Sequence, residues 1–160
     1  MIFTANIMKR TTILWVLIAL FLIPALVEAR ITRIEITSIE SPTFEGRTFG
    51  PSRSVGAYEK LRGRAFGEVD PNDPRNAVIT DIELAPRNGA GMVEYSMDIY
   101  ILKPIDLSKG NHKLFTDVNN RGNKPFGNFN GSSGDNNPTT AEHAGDAFLM
   151  NQGYSLAWNG

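Results

Sequence analysis

Val93, Tyr95, Met97, Ile99 and Ile101 alternate with Glu94, Ser96 and Asp98. A period of two places one set on each face of an extended chain, so this stretch is expected to be a strand with one apolar face turned to a core. Lys103-Pro104 ends the run, because proline has no N–H to give to a ladder. The same alternation groups Val78, Thr80, Ile82 and Leu84, stopped by Ala85-Pro86. Between the two runs, Arg87-Asn88-Gly89-Ala90-Gly91 is turn chemistry. Ile79–Ala85 and Met92–Leu102 are therefore expected to form a hairpin. Ile34 and Ile36 begin a weaker strand, Asp70-Pro71-Asn72-Asp73-Pro74 reads as a turn, and residues 41–56, rich in Ser, Gly and Pro, read as an exposed loop.

The pattern changes after Lys113. Leu114–Val118 predicts a short strand, and residues 119–138 then run through Asn, Gly, Ser and Pro with little to bury. Loops this long in compact domains are commonly functional or disordered. Thr139 and Glu142 have capping-box spacing, and Ala141, Ala144 and Phe148 share one helical face, which predicts a helix over 140–152. Gly153 is placed to end it in a left-handed conformation, and Tyr154–Trp158 resumes as a strand. Strand, crossover helix, strand implies parallel pairing, so an α/β fold is expected: β-rich over 30–113, a βαβ unit over 114–158. A parallel pair so near Gly160 predicts further strands outside the chain, since parallel sheets are covered on both faces.

The N-terminus sets the compartment. Lys9-Arg10, the apolar run Ile13–Ile23, the break at Pro24 and the small residues of Val27-Glu28-Ala29 have the three-part layout of a secretory signal. Residues 1–29 are thus read as a signal peptide and residues 30–160 as secreted or periplasmic. The alternative, an uncleaved anchor, is disfavoured by length, because spanning a bilayer takes about 20 apolar residues. After cleavage no stable membrane anchor is expected. The chain has no cysteine, which excludes a lipoprotein anchor, disulfides, thiolate zinc sites and thiol catalysis. Removing Lys9, Arg10 and Glu28 leaves a slight acidic excess, and the basic residues are scattered, so nucleic acid is not an expected partner.

Val118-Asn119-Asn120-Arg121-Gly122 at a strand end, followed by the run from Phe148 to Trp158, resembles the third strand, first helix and fourth strand of an α/β-hydrolase. Tyr58–Gly63, Val69–Pro74, Ile79–Ile82 and Ala85-Pro86 extend the likeness, which covers the mature chain, to exported alpha/beta hydrolase domain-containing proteins. The resemblance implies the β-rich start, first strands and first helix of an incomplete α/β-hydrolase sheet. It implies acyl transfer from an ester-type substrate to water through a serine, with no cofactor and no metal. That serine sits on a G-x-S-x-G elbow, which this chain lacks; Gly131-Ser132-Ser133-Gly134 has the wrong spacing. No catalytic residue is therefore assigned here, and Ser132, Ser133, His112 and His143 are not read as a triad. The chain is expected to be an N-terminal fragment, inactive alone.

What the resemblance does carry over is the loop after the third strand, which donates a backbone N–H to the oxyanion hole. Asn119, Asn120, Arg121 and Gly122 occupy that place. Arg121 can instead hold a substrate carboxylate in bidentate fashion, and an ordinary turn is the bland alternative for all four. Calcium at Asp70, Asn72 and Asp73 is disfavoured, since no closing Glu follows in EF-hand register. Asn130-Gly131-Ser132 fits a glycosylation sequon. Tyr154, Trp158, Phe148 and Phe115 are read as core. The second function class is a non-catalytic exported β-rich binding module whose Asn/Gly-rich loop contacts a glycan or partner.

Overall fold

The structure, a computed structural model, describes residues 29–132 and 136–159. Among these residues it has six strands: β1 (Arg30–Glu40), β2 (Thr48–Phe49), β3 (Gly56–Val69), β4 (Val93–Pro104), β5 (Leu114–Thr116) and β6 (Ser155–Asn159). Its two α-helices are short, α1 (Phe126–Asn130) and α2 (Phe148–Asn151). The proposed signal peptide lies outside the described residues, apart from Ala29. No helix among the described residues is long and apolar enough to cross a membrane.

The expected α/β fold is overturned: the chain is a β-rich mixed sheet in the order β1-β3-β4-β6-β5, with β2 on β3. The crossover helix predicted over 140–152 is replaced by a 3₁₀ turn at Glu142–Ala144 and by α2. Gly145 and Ala147 both have positive φ and break the helix between them. The break brings Gly145 against Asn130; a Cβ at Gly145 would lie 2.0 Å from the Asn130 carbonyl oxygen. Parallel pairing survives without the helix, through Leu114↔Ser155, Phe115↔Leu156 and Thr116↔Ala157.

The predicted 79–85 hairpin arm is also overturned. Residues 74–84 form two 3₁₀ turns, one capped by the Asp73 carboxylate, which accepts from the Arg75 N–H, and the other entered through Asp81 at φ 58. Val78 and Leu84 point to solvent and only Ile82 is buried. On that side β4 pairs instead with β3, antiparallel along its whole length from Tyr58↔Pro104 to Val69↔Val93, and its other edge takes β6. β1 in turn pairs with β3, shifting register between Ile36 and Ser38.

The core lies on the face opposite the alternation that predicted β4. Tyr58, Tyr100, Leu102, Leu156 and Trp158 pack there under α1 and α2, beside Phe44, Phe49, Phe126 and Met150. Residues 41–56 are thus no exposed loop: Phe44 stands edge-on to Phe49 and stacks with Phe126. Phe148, expected in the core, is 54% exposed. Asn130 is fully buried, donating to the Phe126 carbonyl and accepting from the Leu149 N–H. Joining α1 to α2 in this way takes it out of reach of a glycosylating enzyme in the folded chain.

Candidate functional site

β5 lies at the sheet edge, and the chain returns to insert β6 between β5 and β4. Ligands of open sheets with parallel strands sit beyond the strands' carboxyl ends, where the chain order reverses and the flanking loops diverge. A groove of about 840 Å³ occupies that place here, with Val118 and Asn119 on one wall and Trp158 and Asn159 on another. Its floor follows the core face of the sheet outward past Tyr100, where the aromatic positions give way to Arg62 and Asp98.

Asn119, Arg121 and Gly122 all line the groove; Asn120 does not. Asn120 and Asn123 exchange backbone hydrogen bonds of 3.1 and 3.0 Å, closing a two-residue turn. Its central residues, Arg121 and Gly122, both have positive φ, 52° and 79°. This is the primed geometry that favours Asn-Gly, and arginine is unfavourable at its first position. A Cβ on Gly122 would meet nothing within 4 Å. Glycine is therefore required there by its dihedral angle, not by the close backbone approach expected of an oxyanion loop. The Asn120 N–H is spent inside the turn, while those of Arg121 and Gly122 make no bond among the described residues.

Asn136 fixes the turn from behind. Its side chain donates to the Gly122 carbonyl and to Asn123 Oδ1, and accepts from the Lys124 N–H. Lys124 Nζ donates to the Asn136 carbonyl at 2.9 Å and sits 4.4 Å above the Tyr100 ring. Arg62 reaches Ser38, and Asp98 accepts from Arg64. Arg121 makes no hydrogen bond or ion pair with any described residue. Three cations and one carboxylate thus border the groove, and the carboxylate is engaged by Arg64.

Two buried polar atoms of the groove residues have no partner among the described residues: Trp158 Nε1 and Asn119 Oδ1. Trp158 is 2% exposed and held edge-on between Tyr100 and Phe126. The Asn119 amide nitrogen donates to the Asn159 carbonyl at 3.3 Å, which leaves its oxygen open. A buried polar group without a partner costs about 1–3 kcal/mol.

The other polar residues weighed from sequence have structural work. His143 Nδ1 accepts from the N–H groups of Thr139 and Thr140. Asp70 Oδ1 accepts from the Asn72 N–H, as a turn requires. Ser132 Oγ is buried without a partner among the described residues, and Ser133 lies outside them. Sequence reasoning missed Trp158, Lys124 and Arg62 as site residues, since they reach the groove from other parts of the fold. The signal for Trp158 was a tryptophan on the last strand of the presumed crossover. Compared with family models, curated proteins and solved structures, the chain finds no match.

Proposed function

We propose that this chain supplies the substrate-binding loop of an exported hydrolase of ester-type substrates, its serine nucleophile coming from sequence outside residues 1–160. The carrying observation is the groove at the carboxyl ends of β5 and β6, bordered by the loop that follows β5. The reading needs no helices on both faces of the sheet. It needs only that the N–H groups of Arg121 and Gly122 stay free to meet an oxyanion, and no described residue takes them. In such a reaction the serine oxygen attacks the ester carbon, the carbonyl oxygen takes up negative charge, and fixed N–H donors stabilise it.

The complete gene product and residues 1–160 should be assayed side by side on short p-nitrophenyl esters. Turnover is expected only in the complete product. Gly122→Val keeps the N–H but cannot hold a φ of 79°, so the turn should shift, misplace both donors and lower kcat by about 10²–10³-fold, as an oxyanion hole without its donor does. A complete product inert to all esters, or indifferent to Gly122→Val, would defeat the reading. The β-rich mixed sheet favours a second reading, a non-catalytic exported binding module with the Asn/Gly-rich loop on a glycan or partner. Saturable binding to the complete product without turnover would select it.

A further inference from the structure

We infer that the groove recognises a hydroxycarboxylate, its hydroxyl bridging Trp158 and Asn119 and its carboxylate on Arg121. The inference rests on the groove being a ligand site and names the chemistry of what enters it. Trp158 Nε1 can only donate, and Asn119 Oδ1 can only accept. Both are buried, both belong to residues that line the groove, and both lack a partner among the described residues. A hydroxyl has the chemistry both require, an acceptor for the indole and a donor for the amide oxygen. A carbonyl satisfies only the first and an ammonium only the second.

The charge on the groove supplies the other half. Arg62 and Lys124 are already engaged by Ser38 and by Asn136, while Arg121 is exposed and makes no bond among the described residues. Its guanidinium presents a planar fork that matches a carboxylate. The turn that carries it holds arginine at a φ of 52°, where asparagine or glycine would be more stable. Asn136 secures that turn through the Gly122 carbonyl and Asn123. Within the hydrolase reading, the substrate class becomes an ester that keeps one free hydroxyl and one carboxylate.

The test is NMR of the indole N–H in residues 1–160 carrying Trp15→Phe, in which Trp158 is the sole indole. The probes are lactate, propanoate (no hydroxyl) and propane-1,2-diol (no carboxylate). Lactate should move the Trp158 resonance saturably, with the other two weaker by about tenfold or more. Asn119→Ala should erase the preference for lactate over propanoate, and Trp158→Phe should erase it when binding is followed by calorimetry. Arg121→Gln, at an exposed position, should erase the preference for lactate over the diol with the fold intact. Equal binding of lactate and propanoate, no response to any probe, or a preference unchanged in Asn119→Ala would each overturn the inference. Ester turnover without the lactate preference removes this inference alone. The lactate signature in a complete gene product inert to esters removes the hydrolase reading alone.

Discussion

Lys60 carries an ammonium group into a site that is 1% exposed. All three of its hydrogens are used: Glu40 Oε2 and Thr139 Oγ1 at 2.8 Å, and the Pro138 carbonyl at 3.1 Å. One side chain thereby ties β3 to β1 and to the segment behind the groove. Lys60→Ala would leave the Pro138 carbonyl without its donor and Glu40 with Thr43 alone, so a loss of about 1–3 kcal/mol is expected in urea titration. The same node sets part of the acid stability. Burial pushes the Glu40 carboxyl up, but the hydrogen bonds from Lys60 and Thr43 and the charges of Lys60 and Arg62 outweigh it, so its pKa lies below the ordinary 4.5. For Glu59 the Lys103 hydrogen bond leads in the same direction. A depressed carboxylate stabilises the fold fully above its unfolded pKa, and that contribution fades as pH falls through the folded one. Glu40→Gln should therefore flatten the decline of stability below pH 4.5, and an unaltered acid limb would refute the assignment. Arg121 makes the opposite trade. Relieving its left-handed strain with Arg121→Asn should raise stability by about 1 kcal/mol while removing the carboxylate-binding group. A lower unfolding midpoint in that variant would mean that arginine is at ease in the turn.

β1 is held against β3 by contact that tolerates no side chain at one point. A Cβ on Gly63 would lie 2.0 Å from the Glu35 carbonyl oxygen. Gly63→Ala should free the amides of β1 to hydrogen exchange while the β3–β4 ladder stays protected; protected β1 amides would show that the strands can separate slightly and re-pair. Gly63 also explains why β3 was hard to read. One face carries Lys60, Arg62, Arg64 and Glu68 and the other Gly63, Ala65 and Gly67, so neither shows the row of large apolar residues that announces a strand. β4 was legible because its odd positions are uniformly apolar. The 78–84 run carried the same pattern falsely, since Asp73 and Asp81 impose turns that outweigh four alternating side chains. The helix over 140–152 failed at Gly145 and Ala147, both at positive φ, and Gly145 lies against the Asn130 carbonyl, a tertiary contact invisible in local sequence. Phe44 and Phe49 sit singly among Ser, Gly and Pro, too sparse to signal that their loop folds over the core. The parallel pair was legible from the order strand, long loop, Gly153, strand, although the helix expected to join its strands does not form. The groove was not, because Arg62 and Tyr100 arrive there by strand register, which periodicity does not encode.

The sheet as a whole is dressed on one side. On the core face, α1, α2 and the 41–56 segment cover Tyr58, Leu102 and Leu156 completely. The register places Ile34, Ile36 and Ile39 of β1 on the other face, opposite Ala65, Gly63 and Leu61, and these continue across to Met97, Ile99 and Ile101 of β4. Here lies the set whose alternation predicted β4, and it is only partly covered: Ile34 is 60% exposed, Ile39 62%, and Leu114 on β5 63%. Contiguous apolar surface of this kind is unusual on a soluble monomer, and β1 adds an edge that no described strand pairs. Arg33 and Glu35 on the opposite face of β1 are the charges that discourage pairing at that edge. The isolated chain should therefore bind an apolar dye such as anilinonaphthalene sulfonate in its native state and associate as concentration rises. Ile34→Thr together with Ile39→Thr should reduce both effects. Because these side chains bury little, the pair should lower stability by much less than the about 2–5 kcal/mol typical of truncating a buried isoleucine. Threonine also keeps the branched side chain that strands favour, so β1 should remain paired. Dye binding that persists in the double variant would place the apolar surface elsewhere. A core-sized loss of stability would mean that this face is covered in solution by contacts the sheet alone does not provide.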